Sequence, residues 1–249
     1  MGEPGGSPTY YTPHPLVSLL ALYGLLLRTQ LTVNRLLGIG ALSALSLVIG
    51  LFARSDANPD QAAADTVSSY GLGLLVPVAA LWLGTSAIGD LIEDRLLAYV
   101  WLKPVPRWQL PAAAVLATFS VVAPLTALPL TASALVAGAA DVAAATLLGA
   151  PLAALAYSGL FVAAGLWFKR AVWWGLAFVL IWENVTAYNA EGAGRFTIVG
   201  WASSLIGLAP DVDVQLEAGS SAVAFVVLPA IAIASWLAAT WRYRRADVD

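Results

Sequence analysis

Residues 108–140, WQLPAAAVLATFSVVAPLTALPLTASALVAGAA, run for 33 positions without a charged side chain, between Arg107 and Asp141. A helix rises about 1.5 Å per residue and the hydrocarbon core of a bilayer is about 30 Å thick, so roughly 20 such residues cross it. The run predicts one long span over 110–138. Pro124 and Pro129 lie inside it and are expected to kink it, which membrane helices tolerate because neighbours re-satisfy the freed carbonyls. The rest of the chain agrees: 60% of its 249 residues are hydrophobic and only 11% are charged. A water-soluble domain carries roughly 25% charged residues. A chain this poor in charge cannot cover its apolar surface in water, so lipid is its expected solvent.

Working outward, the charged residues bracket further spans over 36–53, 70–89, 142–168, 171–189 and 222–241, six in all with 110–138. The fold class expected is all-α and polytopic. Two apolar stretches are too short to cross. Residues 15–27 begin with Pro15, which suits a first helical turn, and predict a helix lying along the membrane surface. Residues 196–209 contain Gly200 and Gly207 and predict a re-entrant or interfacial hairpin. Residues 1–14 are rich in Gly, Pro and Tyr, lack the basic-then-apolar layout of a cleaved signal peptide, and read as a flexible cytoplasmic tail ahead of a transmembrane domain over 15–249.

Lysine and arginine are retained on the cytoplasmic side. With the N-terminus inside, the inner segments hold Arg28, Arg35, Arg95, Lys103, Arg107, Lys169, Arg170, Arg242, Arg244 and Arg245, ten of the twelve basic residues. Only Arg54 and Arg195 fall outside, among the acids Asp56, Asp60, Asp65, Asp141, Glu191, Asp211, Asp213 and Glu217. Trp101, Trp108, Trp167, Trp173, Trp174 and Trp241 gather near the same inner boundary, the depth amphipathic indoles favour. The expectation is a multi-pass protein of the cell membrane with both termini cytoplasmic.

The segment between the second and third spans is patterned differently. Asp90, Glu93, Asp94 and Leu97 recur at three- and four-residue spacing, while Ile88, Ile92, Leu96, Tyr99 and Val100 form the opposite face. That predicts an amphipathic surface helix, stopped by Pro104 and Pro106. A plain solvated connector would have the same pattern. The run Glu93-Asp94-Arg95-Leu96, then Tyr99-Val100-Trp101-Leu102, then Lys103-Pro104-Val105-Pro106-Arg107 resembles the loop between the second and third spans of type-2 ABC exporter permeases. Leu96 departs from it, standing where that family usually carries Thr. Trp182-Glu183 high in the fifth span, ahead of a short re-entrant region, is a second point of resemblance.

The resemblance implies a division of labour. Asp90, Glu93, Asp94, Arg95, Leu97, Tyr99, Trp101, Lys103 and Arg107 would form a coupling helix seated on a separate cytoplasmic ABC ATPase, present in two copies. ATP and Mg would be bound by that partner, with no cofactor in this chain. The permease would pair with a second copy of itself or a homologue. The chain itself holds only two lysines, Lys103 and Lys169, and neither follows a glycine, so it has no Gly-Lys-Ser/Thr phosphate loop. The expected function is therefore a permease subunit, not itself an enzyme, that exports a hydrophobic or amphipathic substrate. The alternatives are a gradient-driven secondary transporter or channel, and a membrane scaffold that transports nothing.

Few residues offer other chemistry. There are no cysteines, and His14 is the only histidine, which leaves neither a multi-ligand metal site nor a Ser-His-Asp triad. A net charge of −3 gives no basic signature for nucleic acid. Glu183 is the only acid inside an expected span, about 18 Å from its inner end. An intramembrane carboxylate is costly and is by default a functional candidate, as substrate contact or proton relay. The competing reading is that Glu183 sits near the outer interface and bonds to backbone or to Asn184 and the re-entrant turn.

Overall fold

A computed structural model describes residues 15–93, 106–186, 193–216 and 218–245. Every regular element among them is helical: α1 Pro15–Gln30, α2 Val33–Ala53, α3 Pro59–Asp65, a π-helix π1 Thr66–Leu75, α4 Val76–Glu93, α5 Gln109–Ala137, α6 Ala140–Trp167, α7 Ala171–Ala177, a second π-helix π2 Phe178–Thr186, α8 Ile198–Ile206 and α9 Ser221–Arg244, with one 3-10 turn at Ala193–Phe196. Among the described residues five helical stretches are long and apolar enough to cross a membrane: Val33–Ala53, Pro59–Gly89, Gln109–Ala137, Ala140–Trp167 and Ser221–Arg244. The second begins earlier than the expected 70, because α3, π1 and α4 follow one another without a break. The expected fifth span, 171–189, is described only as far as 186. Its apolar helix, Ala171–Val185, falls short of crossing length.

Packing follows from small residues. α6 lies at the centre, and its buried face is lined by Ala143, Ala145, Ala150, Ala153, Ala154 and Ala156. Side chains this short let neighbouring backbones approach closely, which is how helices associate where lipid supplies no hydrophobic drive. A Cβ on Gly159 would stand 3.0 Å from the Ala232 Cα of α9, so those two helices touch backbone to backbone. The same pair meets again where Trp167 stacks on Trp241 at 5.8 Å, so α6 and α9 run parallel. α7 and π2 run the other way along α6: Gly175 faces Phe161, whereas Glu183 reaches Tyr157.

α2 and α5 also run parallel, joined by hydroxyl groups. Ser43 donates to the Leu125 carbonyl at 2.7 Å, and Ser133 donates to the Ser46 carbonyl at 2.6 Å. The first contact has a local cause. Pro129 has no N–H for the carbonyl four residues back, that of Leu125, and Ser43 supplies the missing donor. α5 accordingly remains helical through both Pro124 and Pro129. α1 packs against the first third of α5. Ser18 donates to Gln109 at 2.6 Å, Tyr23 to Ser120 at 3.0 Å, and Gln30 to Thr118 at 3.0 Å. It thus climbs obliquely along α5 toward the start of α2.

Charge is segregated by end. Arg107 donates to the Arg244 carbonyl at 2.8 Å, and Trp108 meets Trp236 edge-on at 6.3 Å, so the start of α5 and the end of α9 share one end with Lys169 and Arg170. At the other end Gln61 donates to the Asp213 carbonyl at 2.8 Å and accepts from its N–H at 2.9 Å, bringing Asp56, Asp60 and Asp65 to the loop that holds Asp211 and Asp213.

Candidate functional site

The buried polar centre of the molecule is built where π2, α6 and α8 meet. Residues 196–209, expected as a hairpin, instead contain a single helix, α8, whose start is specified locally. Thr197 is extended and accepts the Gly200 N–H at 3.1 Å, a side-chain cap ahead of an apolar run. A helix start leaves its first amides without intrahelical partners, and in an apolar interior each such group is expensive. Glu183 supplies the remedy. Its Oε1 accepts the Ile198 N–H at 3.1 Å and its Oε2 accepts the Val199 N–H at 2.9 Å. Tyr157 of α6 donates its hydroxyl to the same Oε2 at 2.8 Å. Glu183 and Tyr157 are both 0% exposed.

Three consecutive amides, Ile198 to Gly200, are therefore satisfied by two side chains. The carboxylate also lies at the positive end of the α8 dipole, where an anion is favoured. In a discontinuous membrane helix such an end is a ready anion site. Here the protein's own carboxylate fills it. Both Glu183 oxygens face protein donors, so the group is engaged as a structural anchor for α8.

Asn184 has different partners and does a separate task. Its Nδ2 donates to the Gly73 carbonyl at 3.0 Å and to the Val179 carbonyl at 2.8 Å. Gly73 lies in π1 and Val179 in π2, so one amide satisfies a carbonyl in each of the two wide helical stretches. π segments place their carbonyls off the regular ladder, and they occur often at functional sites. At the approach to α8 the 3-10 turn is held by two indoles. Trp182 donates to Phe196 at 3.2 Å and Trp201 to Arg195 at 3.0 Å. Ser204 then ties the far half of α8 to the following loop, accepting from Ala218 at 3.0 Å.

Of the residues expected to carry coupling, Asp90 and Glu93 fall at the end of α4. Asp94, Arg95, Leu97, Tyr99, Trp101 and Lys103 lie outside the described residues, as do the 1–14 tail and His14. Arg107 is held at the basic end of the bundle by its bond to Arg244. Tyr157 and Thr197 were not singled out from the sequence. Thr197 carries a legible signal, a hydroxyl residue just before an apolar run. Tyr157, one hydroxyl in an alanine-rich helix, carries none. Among the described residues no three of His, Cys, Asp and Glu come together to hold a metal ion.

The fold and this site define an α-helical protein with the features of a multi-pass membrane protein. The sequence matches no protein-family model and has no significant match among curated proteins.

Proposed function

We propose that the chain is the permease subunit of a type-2 ATP-binding cassette exporter. The observation that carries this reading is the run Glu93 to Arg107, with its acid pair, aromatic-apolar centre and Lys-Pro-Val-Pro-Arg close. The bond from Arg107 to Arg244 supports it, because it fastens the end of that run to the basic end of the bundle. Lys and Arg mark the cytoplasmic side, which is where a soluble ATPase would be met. Two ATPase copies carrying ATP and Mg would drive two permease chains, identical or homologous, in the cell membrane.

In this reading the chain crosses six times with both termini inside. The fifth crossing is composite: α7 and π2 rise to the level of Tyr157, and α8 starts again beside Glu183 and completes the passage. α1 is the interfacial helix that leads into the first crossing. With Glu183 engaged by Tyr157 and α8, the interior offers little to a charged solute, which favours hydrophobic or amphipathic cargo. The same engagement weighs against a gradient-driven transporter, which needs titratable groups free to exchange ions.

The test is co-expression with any ABC ATPase encoded beside its gene. The complex should copurify, and Glu93→Pro, which breaks the helix, should leave ATP hydrolysis running without transport. Transport that persists without ATP, or a chain that binds no such ATPase, would overturn the reading.

A further inference from the structure

The basic end of the bundle carries a second feature, built from the last turn of α9 and the α6–α7 turn. Trp167 and Trp241 stack with planes 18° apart, and the Arg245 guanidinium lies 4.0 Å from the centre of the Trp241 ring. The end of α9 is fixed from behind. Tyr243 is buried in the cluster with Leu110 and Ala114, and the Arg244 carbonyl is tied to Arg107. Lys169 and Arg170 follow Trp167 after Phe168, and the exposed Trp173 and Trp174 continue into α7. Every described acid whose side chain is placed, from Asp56 to Asp213, lies at the opposite end or, as Glu183, in the interior. Among the residues whose side chains are described, Lys169, Arg170, Arg242 and Arg245 share this end with no carboxylate, and α4 brings the backbone of Asp90 and Glu93 to the same end.

We propose that this end binds the headgroup phosphate of an anionic phospholipid, held between Arg242 and Arg245 on one side and Lys169 and Arg170 on the other. Arginine presents a planar fork that matches phosphate oxygens, and stacking on Trp241 orients that fork in advance. Indoles at the ends of crossing helices sit at headgroup depth, which puts the phosphate plane level with these cations. Charge complementarity selects an anionic lipid over a zwitterionic one. The site does not depend on the transport reading.

The experiment reconstitutes the full chain in vesicles of phosphatidylcholine and phosphatidylglycerol, releases it into detergent and weighs retained lipid by native mass spectrometry. Phosphatidylglycerol should be retained in preference. Arg242→Gln with Arg245→Gln should lower that preference about thirtyfold, the effect of two cations near an anionic surface. Lys169→Gln with Arg170→Gln should lower it similarly, and serves if the first pair fails to insert. Arg54→Gln with Arg195→Gln, at the acidic end, should leave it unchanged. Equal retention of both lipids, a preference indifferent to both basic-end pairs, or displacement of the lipid by inorganic phosphate at matched concentration would overturn the proposal.

Discussion

Tyr157 donates its hydroxyl to the Glu183 carboxylate at 2.8 Å, and the two side chains are sealed from solvent where π2 meets the start of α8. The same carboxylate caps the first two amides of α8, so one acid fastens three elements. If that is its task, neutralising it should cost stability before it costs chemistry. Glu183→Gln leaves one carbonyl for donors that formerly met two oxygens, and sets an NH2 against backbone N–H groups. It should destabilise the protein by about 3 kcal/mol, read as a lower midpoint in thermal unfolding in detergent. Unchanged stability with lost transport would mark Glu183 as a cargo group.

Tyr157→Phe removes one of three donors and leaves the cap bonds to Ile198 and Val199 in place. The loss should be smaller, about 1.5 kcal/mol for a hydrogen bond to a charged acceptor. Combined with Glu183→Gln, the two losses should fall short of their sum, since both act on one bond. Additive losses in that double-mutant cycle would mean that the hydroxyl and the carboxylate act independently.

Asn184 is required as a donor, because it faces two carbonyls, those of Gly73 and Val179. Asn184→Ala leaves both unpaired and should cost about 2 kcal/mol. Asn184→Asp, nearly the same size, places a carboxylate against those oxygens and should cost more. Faster amide hydrogen exchange over 178–186 in both variants, with Asp the worse, is the expected outcome. An Asp variant as protected as the natural protein would remove Asn184 from the account.

The long apolar helices were legible because charge marks their ends: Arg107 and Asp141 alone delimit α5 to within a few residues. Three features were not legible. The extension of the second helix back to Pro59 was hidden by Asp60 and Asp65, which read as loop acids, although Gln61 bridges Asp65 to Asp213 and keeps them on a helix. The separation of π2 from α8 was hidden because residues 171–189 look apolar enough to cross. Only the π geometry from Phe178 to Thr186 and the fresh start at Thr197 reveal two pieces. The partnership of Glu183 with Tyr157 depends on which face of α6 meets π2, and an alanine-rich helix with nearly uniform hydropathy does not announce its faces.

The chain has no cysteine, so a single introduced thiol reports its own surroundings without interference. Leu97→Cys would place one within the proposed coupling helix. The account predicts that a membrane-impermeant maleimide labels it in inside-out vesicles but not in intact cells, and that the bound ATPase protects it. Labelling from outside intact cells, or undiminished labelling in the assembled complex, would contradict the permease reading.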